Sequence, residues 1–309
     1  MSVSLSAGGF YGRSAASMNA LTQRAEVLQT QVSTGKKLQA PSDDSVAYQR
    51  LQGLRTAGAN DAAFSANVKI AQSVLAQADS TLGSIGDQLQ KANELAVQAG
   101  NGTLSADAKK AIATQLKDVL SSIVGLANAK DARGAPLFGG SEALAAGQAE
   151  TPAVTQLASG ALAFAAGQPT AIPIGDGQSV QPSVAAGDVL KLKGADGKAG
   201  RDLGDVLTAM VATLEAGGTP SKDDAADLSA IAAQNTQAQA SVGARAVRVD
   251  LQAAYFTQVS TDREAARSEM EDVDVTTAIT ELQKTMTILS ATQASFSKLS
   301  SLSLFDYIR

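Results

Sequence analysis

Apolar residues form two matching stripes at opposite ends of the chain. From Val275 they run Val275, Ile279, Leu282, Met286, Leu289 and Phe296, with Gln293 and Ser300 interrupting the second register and Leu299 and Leu302 extending the stripe. Near the amino end, Met18, Leu21, Ala25, Leu28 and Val32 repeat the alternation of four- and three-residue steps, which is the spacing of a coiled-coil seam. A helix with such a stripe draws most of its stability from whatever covers the stripe. The pattern therefore predicts that the two ends meet each other or dock on other subunits, and in either case the chain reads as an assembly protein.

The middle carries longer repeats. Val68, Leu75, Leu82 and Leu89 recur at steps of seven, interleaved with Ala71, Ala78, Ile85 and Ala92. They predict a helix over 65–99, roughly 50 Å long at about 1.5 Å per residue. Upstream, Pro41 breaks the first helical pattern and Ser42 or Asp43 is the expected N-cap of the next helix. Gly100-Asn101-Gly102 ends the long helix and Ser105 caps the next, whose stripe of Ile112, Leu116, Val119, Ile123 and Leu126 returns antiparallel. From 131 to 200 helical spacing gives way to Gly and Pro punctuation. Runs such as Ala171-Ile-Pro-Ile and Asp188-Val-Leu-Lys-Leu-Lys alternate like strands, Pro173 argues for an edge, and Asp196-Gly197 reads as a hairpin turn. Helix resumes near Leu203, pauses at 217–221 and runs on towards the end, with Leu228, Val242, Val249 and Phe256 on one row and Ile231, Ala238 and Val259 on the other.

The expected fold is mainly α: a long antiparallel helical rod or coiled coil built from both chain ends, with a small β-rich inserted outer domain. Residues 1–44 and 266–309 form the two parts of an inner coiled-coil domain, 45–140 and 205–265 the two parts of a rod, and 141–204 the insert. Because the insert begins and ends in turn-like sequence, removal of 141–200 is expected to be better tolerated than a charge at Leu282 or Leu289 in the terminal stripe.

Composition narrows the function. Of 309 residues 44% are apolar and 18% charged, which is ordinary for a folded chain, but only 4% are aromatic and none is Trp, so thin layers and long helices fit better than a bulky enzyme core. The absence of Cys removes disulfides and thiolate metal sites, and the absence of His removes the commonest general base. A net charge of −5 argues against nucleic-acid binding. Residues 1–60 hold six basic and three acidic side chains and residues 261–309 five and eight, opposite balances that favour association of the ends. No run is long enough to span a membrane, and the amino end lacks the pattern of a cleavable signal.

The candidate chemistry is thin. Glu269, Glu271, Asp272 and Asp274 lack calcium-loop spacing and read as a solvated face. Gly175-Asp176-Gly177 lacks the Lys-Ser/Thr of a phosphate loop, and Asp43 with Asp44 reads as capping rather than acid/base chemistry. Asn101-Gly102-Thr103 has the N-glycosylation spacing, which a turn explains equally well. No catalytic residue, cofactor or metal is expected.

Several stretches carry a resemblance. Leu28-Gln-Thr-Gln-Val-Ser-Thr-Gly-Lys-Lys-Leu with Pro41-Ser-Asp-Asp, and Glu94-Leu-Ala-Val-Gln-Ala-Gly-Asn-Gly-Thr, resemble the amino-terminal signatures of the bacterial flagellin superfamily. Asn128-Ala-Lys-Asp-Ala-Arg-Gly-Ala-Pro-Leu-Phe-Gly-Gly, Gly175 to Val180, Val184 to Leu190, and the ending from Phe296 to Ile308 are similar to its hook-associated branch, the hook–filament junction subunits known as the third hook-associated proteins. The resemblance implies a non-enzymatic, secreted subunit of the extracellular flagellum at the hook–filament junction. Such a subunit is exported unfolded and folds its termini on assembly. The implied partners are further copies in a ring or short helical segment, hook-associated protein 1, flagellin, and an export chaperone on the carboxy-terminal helix, with neither nucleic acid nor membrane insertion. A flagellin of the filament itself is the alternative within the superfamily, and a glycan- or host-binding module through 141–204 the alternative outside it.

Overall fold

The computed structural model describes residues 2–139, 152–193 and 199–307, and the side chains among them except those of 2–8, 10, 199 and 299–307. The order is α1 (Ser2–Thr34), α2 (Ser45–Ala99), α3 (Ala106–Ala127), β1 (Val154–Gln156), β2 (Leu162–Phe164), β3 (Ile172–Gly175), β4 (Gln178–Val180), α4 (Ala186–Leu190), β5 (Lys191–Lys193), β6 (Ala199–Asp202), α5 (Leu203–Glu215), α6 (Lys222–Glu271) and α7 (Val275–Tyr307). The chain divides into two compact units, Met1–Ala59 with Val259–Arg309 and Asn60–Gln258. The first takes in the expected inner segments together with the adjoining ends of α2 and α6, while the insert falls inside the second.

The second unit is built on the heptads. Val68, Leu75, Leu82, Leu89, Ile112, Leu116, Val119, Ile123, Val242, Val249 and Phe256 are all buried in one continuous core. α2 and α6 lie antiparallel, with the rings of Phe64 and Phe256 stacked at 6.1 Å and Gln72 donating to Asp250 at 2.7 Å. Deeper in, the buried Asn235 donates to the carbonyl of Leu82 at 3.0 Å. Gly86 makes room for it, since a Cβ there would sit 3.1 Å from the Asn235 amide nitrogen. Ser105 caps α3 by accepting from the Ala108 amide at 3.2 Å.

The β-region consists of three antiparallel two-stranded hairpins, β1–β2, β3–β4 and β5–β6. Pro173 sits on β3 of such a pair, in which both strands are edges, beside a register shift between Pro173 and Gly175, and its carbonyl accepts from Asn67 at 3.0 Å. The run Asp188 to Lys193, expected as strand, is extended only over Lys191–Lys193: its first residues belong to a short helix, Ala186–Leu190, that buries Val189 and Leu190. The Asp196-Gly197 turn and residues 141–151 of the insert lie outside the described residues.

Expected tolerance to removal of the insert does not survive the packing. Val154, Leu162, Ile172, Ile174, Val180 and Leu190 belong to the same core as Leu82 and Leu116. Asn128 doubles as a strand partner, donating to the Val154 carbonyl at 2.8 Å and accepting from its amide at 2.9 Å. Arg245 donates to the carbonyls of Gln181 and Ser183 at 3.1 and 2.7 Å. The carboxylate of Asp202 caps α5 through the Asp205 amide at 2.9 Å and also takes the Leu162 amide at 3.2 Å; burial pushes its pKa up. Removal would open that core and strip these donors of partners.

Candidate assembly surface

In the first unit the chain ends do meet. α1 and α7 run antiparallel, with Tyr11 edge-on to Phe296 at 5.5 Å near one end and Lys36 bridged to Asp272 at the other. That register sets Met18 level with Leu289 and Ala25 level with Leu282. On α1 the row facing inward is Tyr11, Ser14, Met18, Leu21, Ala25, Leu28 and Val32, of which only Leu28 is fully buried. On α7 it is Ala278, Leu282, Thr285, Leu289, Thr292 and Phe296, with Ala278 and Thr285 buried and the rest half-buried. Leu282, Leu289 and Phe296 of the sequence-derived stripe thus lie in this seam. Val275 heads the same seven-residue row but is 42% exposed where the helix begins, Ile279 and Met286 stand on a neighbouring face, exposed at 40 and 58%, and Ile288 is exposed on the other side of the seam. The side chains of Leu299 and Leu302 lie outside the described residues. α7 is therefore apolar on more of its circumference than α1 covers, and two polar threonines sit in the face that α1 does cover.

The two loops that join these helices to α2 and α6 are tied at a buried carboxylate. Gly35, at φ +71°, ends α1 by donating to the Gln31 carbonyl at 2.8 Å. The next residues pair with the α6–α7 connection, Lys37 donating to the Glu271 carbonyl at 2.7 Å and Val273 to that of Gly35 at 2.9 Å. The Glu271 side chain is 1% exposed and receives Lys36, Arg55 at 2.9 Å and Arg267 at 3.2 Å. The Lys36 ammonium, hydrogen-bonded to it, is the largest influence holding its pKa below the usual carboxylate range. With Arg24–Glu281 at 2.9 Å, these bonds join cations of the amino-terminal stretch to anions of the carboxy-terminal one, which is where the opposite charge balances go.

Asp43, Asp44 and Asp274 serve the backbone. Glu271 does not belong to a solvated acidic face. Asp274 caps α7 through the amides of Thr276 and Thr277 at 3.0 and 3.2 Å. The α2 cap is Asp44, which accepts from Val46 and Ala47 at 3.0 and 2.9 Å, rather than Ser42 or Asp43. Asp43 instead closes the Pro41 turn by accepting from the amides of Gln39 and Ala40, both at 2.9 Å, and those amides hold its pKa down. Sequence reasoning missed the role of Glu271 because its partners Lys36 and Arg55 lie more than two hundred residues away in the chain. Among the described residues no helix is long and apolar enough to cross a membrane.

Comparison with known proteins agrees with this architecture. Over 110 residues the chain is 34% identical to flagellar hook-associated protein 3 of Salmonella typhimurium and 33% identical to that of Escherichia coli, in each case 36% of this chain and 35% of the relative. The match thus spans about a third of the relatives' length. A solved flagellar hook-associated protein structure from Vibrio parahaemolyticus superposes with a TM-score of 0.61 at 21% identity, covering 74% of this chain and all of that one, and shares the fold. Residues 13–143 match the bacterial flagellin N-terminal helical region and residues 228–308 the C-terminal helical region. Together these two regions take in well over half of the chain, which belongs to the bacterial flagellin superfamily.

Proposed function

We propose that this chain is a structural subunit of the extracellular bacterial flagellum, an adaptor at the hook–filament junction that joins hook-associated protein 1 to flagellin. The observation that carries the junction role is the similarity to two relatives named hook-associated protein 3. Assembly as the mode of action rests on the exposed face of Ile279 and Met286 beside a thin seam, with Val275 exposed at the start of α7 and Ile288 on the seam's other side. Apolar area on a helix is stabilising only once removed from water, at about 25 cal/mol per Å², so this face gains its stability from neighbouring copies in a ring or short helical segment. In this reading Met18, Leu21, Leu28, Val32, Leu282, Leu289 and Phe296, with Leu299 and Leu302, order fully on assembly. The subunit travels unfolded, with an export chaperone holding its carboxy-terminal helix.

The test is electron microscopy of cells lacking the protein, with an immunoblot of their medium for flagellin. Hooks without filaments, and flagellin monomer in the medium, are the expected result. Missing filaments without released flagellin would make the chain the filament subunit itself, and intact filaments would remove both readings.

A further inference from the structure

The second unit carries an apolar ridge and an apolar cleft that suit each other yet sit apart. On α6 the buried row is Leu228, Ile231, Asn235, Ala238, Val242, Val249 and Phe256. Val247, Leu251 and Tyr255 form another row on the opposite side of the same helix, exposed at 61, 68 and 57%. A helix with one partner face needs one apolar stripe, and here α6 has two. The cleft lies where α3 and α5 meet the turn between β1 and β2: Leu116, Leu120, Leu207 and Val211 form its floor, half-exposed Leu157 its rim, and its volume is about 350 Å³.

The two surfaces cannot meet within one chain. The Gln72–Asp250 bond and the Phe64–Phe256 stack set the ridge level with residues 64–72 of α2. α3 turns back at 100–105, and its far end is tied to α2 by Gln77 donating to the Lys130 carbonyl. Leu116 and Leu120 therefore lie level with α2 near 86–90, which at about 1.5 Å per residue is roughly 25 Å further along. Their rims are complementary in charge. Arg248 and Asp250 flank the ridge, and the half-exposed Lys117 and Glu215, 2.7 Å apart, flank the cleft. In the contact Arg248, which within its own chain donates to the Ser179 carbonyl at 3.3 Å, would meet Glu215, and Lys117 would meet Asp250, which accepts from Gln72.

We infer that the α6 ridge of one copy docks in the α3–α5 cleft of a second copy of this chain. Because ridge and cleft are different patches, the contact is heterologous and head-to-tail, and it propagates into a ring or helix rather than closing a two-fold dimer. The inference rests on the assembly reading above and supplies the surfaces that such an assembly uses.

The chain has no cysteine of its own, which gives a direct test. Full-length protein carrying Leu157→Cys and Leu251→Cys replaces the wild type in flagellated cells, and the isolated flagellar bases are oxidised and run on a non-reducing gel. The expected product is a ladder of dimers, trimers and longer species, absent from either single variant. Both positions are solvent-accessible, so folding is retained. Loss of the ladder on adding Arg248→Glu, and its return with Glu215→Arg, are expected from the rim pairs. A double variant that remains monomeric would overturn the inference, as would dimers formed by Leu251→Cys alone, which mean a symmetric ridge-to-ridge contact. The ladder reports surfaces whichever polymer the chain builds, so failure of the junction role, read from the deletion phenotype, is seen separately.

Discussion

The two units are made from the same kinds of helix, yet among the described residues only one holds a continuous apolar core. In Asn60–Gln258 large side chains such as Leu82, Leu89, Leu116, Ile123, Ile174, Leu207 and Met210 are almost wholly withdrawn from solvent. In the other unit the buried apolar residues among those described are Leu28, Leu38, Leu51 and Ala278. A two-helix seam removes one stripe per helix from water, whereas α2 has α3 and α6 to cover it and the hairpins to close the ends. Ordering a residue costs about 1–2 kcal/mol of backbone entropy, and half-buried leucines opposite threonines offset little of it. The central unit is expected to carry its own stability, and the terminal one, under the proposed assembly, to gain it from what it meets.

The sharpest way to break this contrast is a matched pair of truncations. Leu207→Ala, in a fully buried site of the central unit, should cost about 3–5 kcal/mol. Leu282→Ala, in the half-buried terminal seam, should cost the isolated subunit roughly 1 kcal/mol. Denaturant melts followed by far-UV circular dichroism read both, and equal losses would mean that the terminal unit has a core of its own. Deletion of 152–193 belongs with the first of these, because it takes the partners of Asn128 and Arg245 and removes Ile174 from the shared core.

Assembly should reverse the ranking. Under the proposed assembly, Leu282→Asp or Leu289→Asp would place a charge in a seam that polymerisation is expected to desolvate further. Incorporation into flagella should fall to background while the thermal transition of the central unit stays within about 1 kcal/mol of wild type. Normal incorporation of either variant, scored by immunolabelling, would show that the seam is not used in the polymer.

How much of this was legible depended on the range of the interaction. The heptad from Val68 to Leu89 announced α2 because seven-residue spacing is local, and the Ser105 cap was readable for the same reason. The register of α7 was not: Ile279 and Met286 alternate with Leu282 and Leu289 at heptad spacing, and only the position of α1 decides which row turns inward. Threonines 285 and 292 fill the inward row, and no hydrophobicity pattern would have chosen them. The Asp44 cap was missed by one or two positions because Ser42, Asp43 and Asp44 are all capable of capping, and the Pro41 turn had prior use for Asp43. The ridge at Val247, Leu251 and Tyr255 went unnoticed beside the stronger row of Val242, Val249 and Phe256 on the same helix.

Glu271 offers the finest test, because it ties the loops of the terminal unit without contributing apolar burial. Glu271→Gln keeps the shape but removes the charge that Lys36, Arg55 and Arg267 share. Those three cations are partly exposed and regain water, so the cost should be near the charged hydrogen-bond range, about 2 kcal/mol, and not that of a fully buried orphan. The pH dependence has a defined sign. The folded pKa of Glu271 lies below its unfolded value, so its contribution is fully present above the unfolded pKa, about 4.3, and fades as pH falls through the lower folded value. Hydrogen exchange at α1 and α7 should therefore quicken on acidification in the wild type. In Glu271→Gln it should already be faster at neutral pH and change less below pH ~4. An acid response of α1 and α7 that is the same in both proteins would assign the effect to Asp43 and Asp274, whose pKa values are also held down by hydrogen bonds, and leave the buried carboxylate as packing alone.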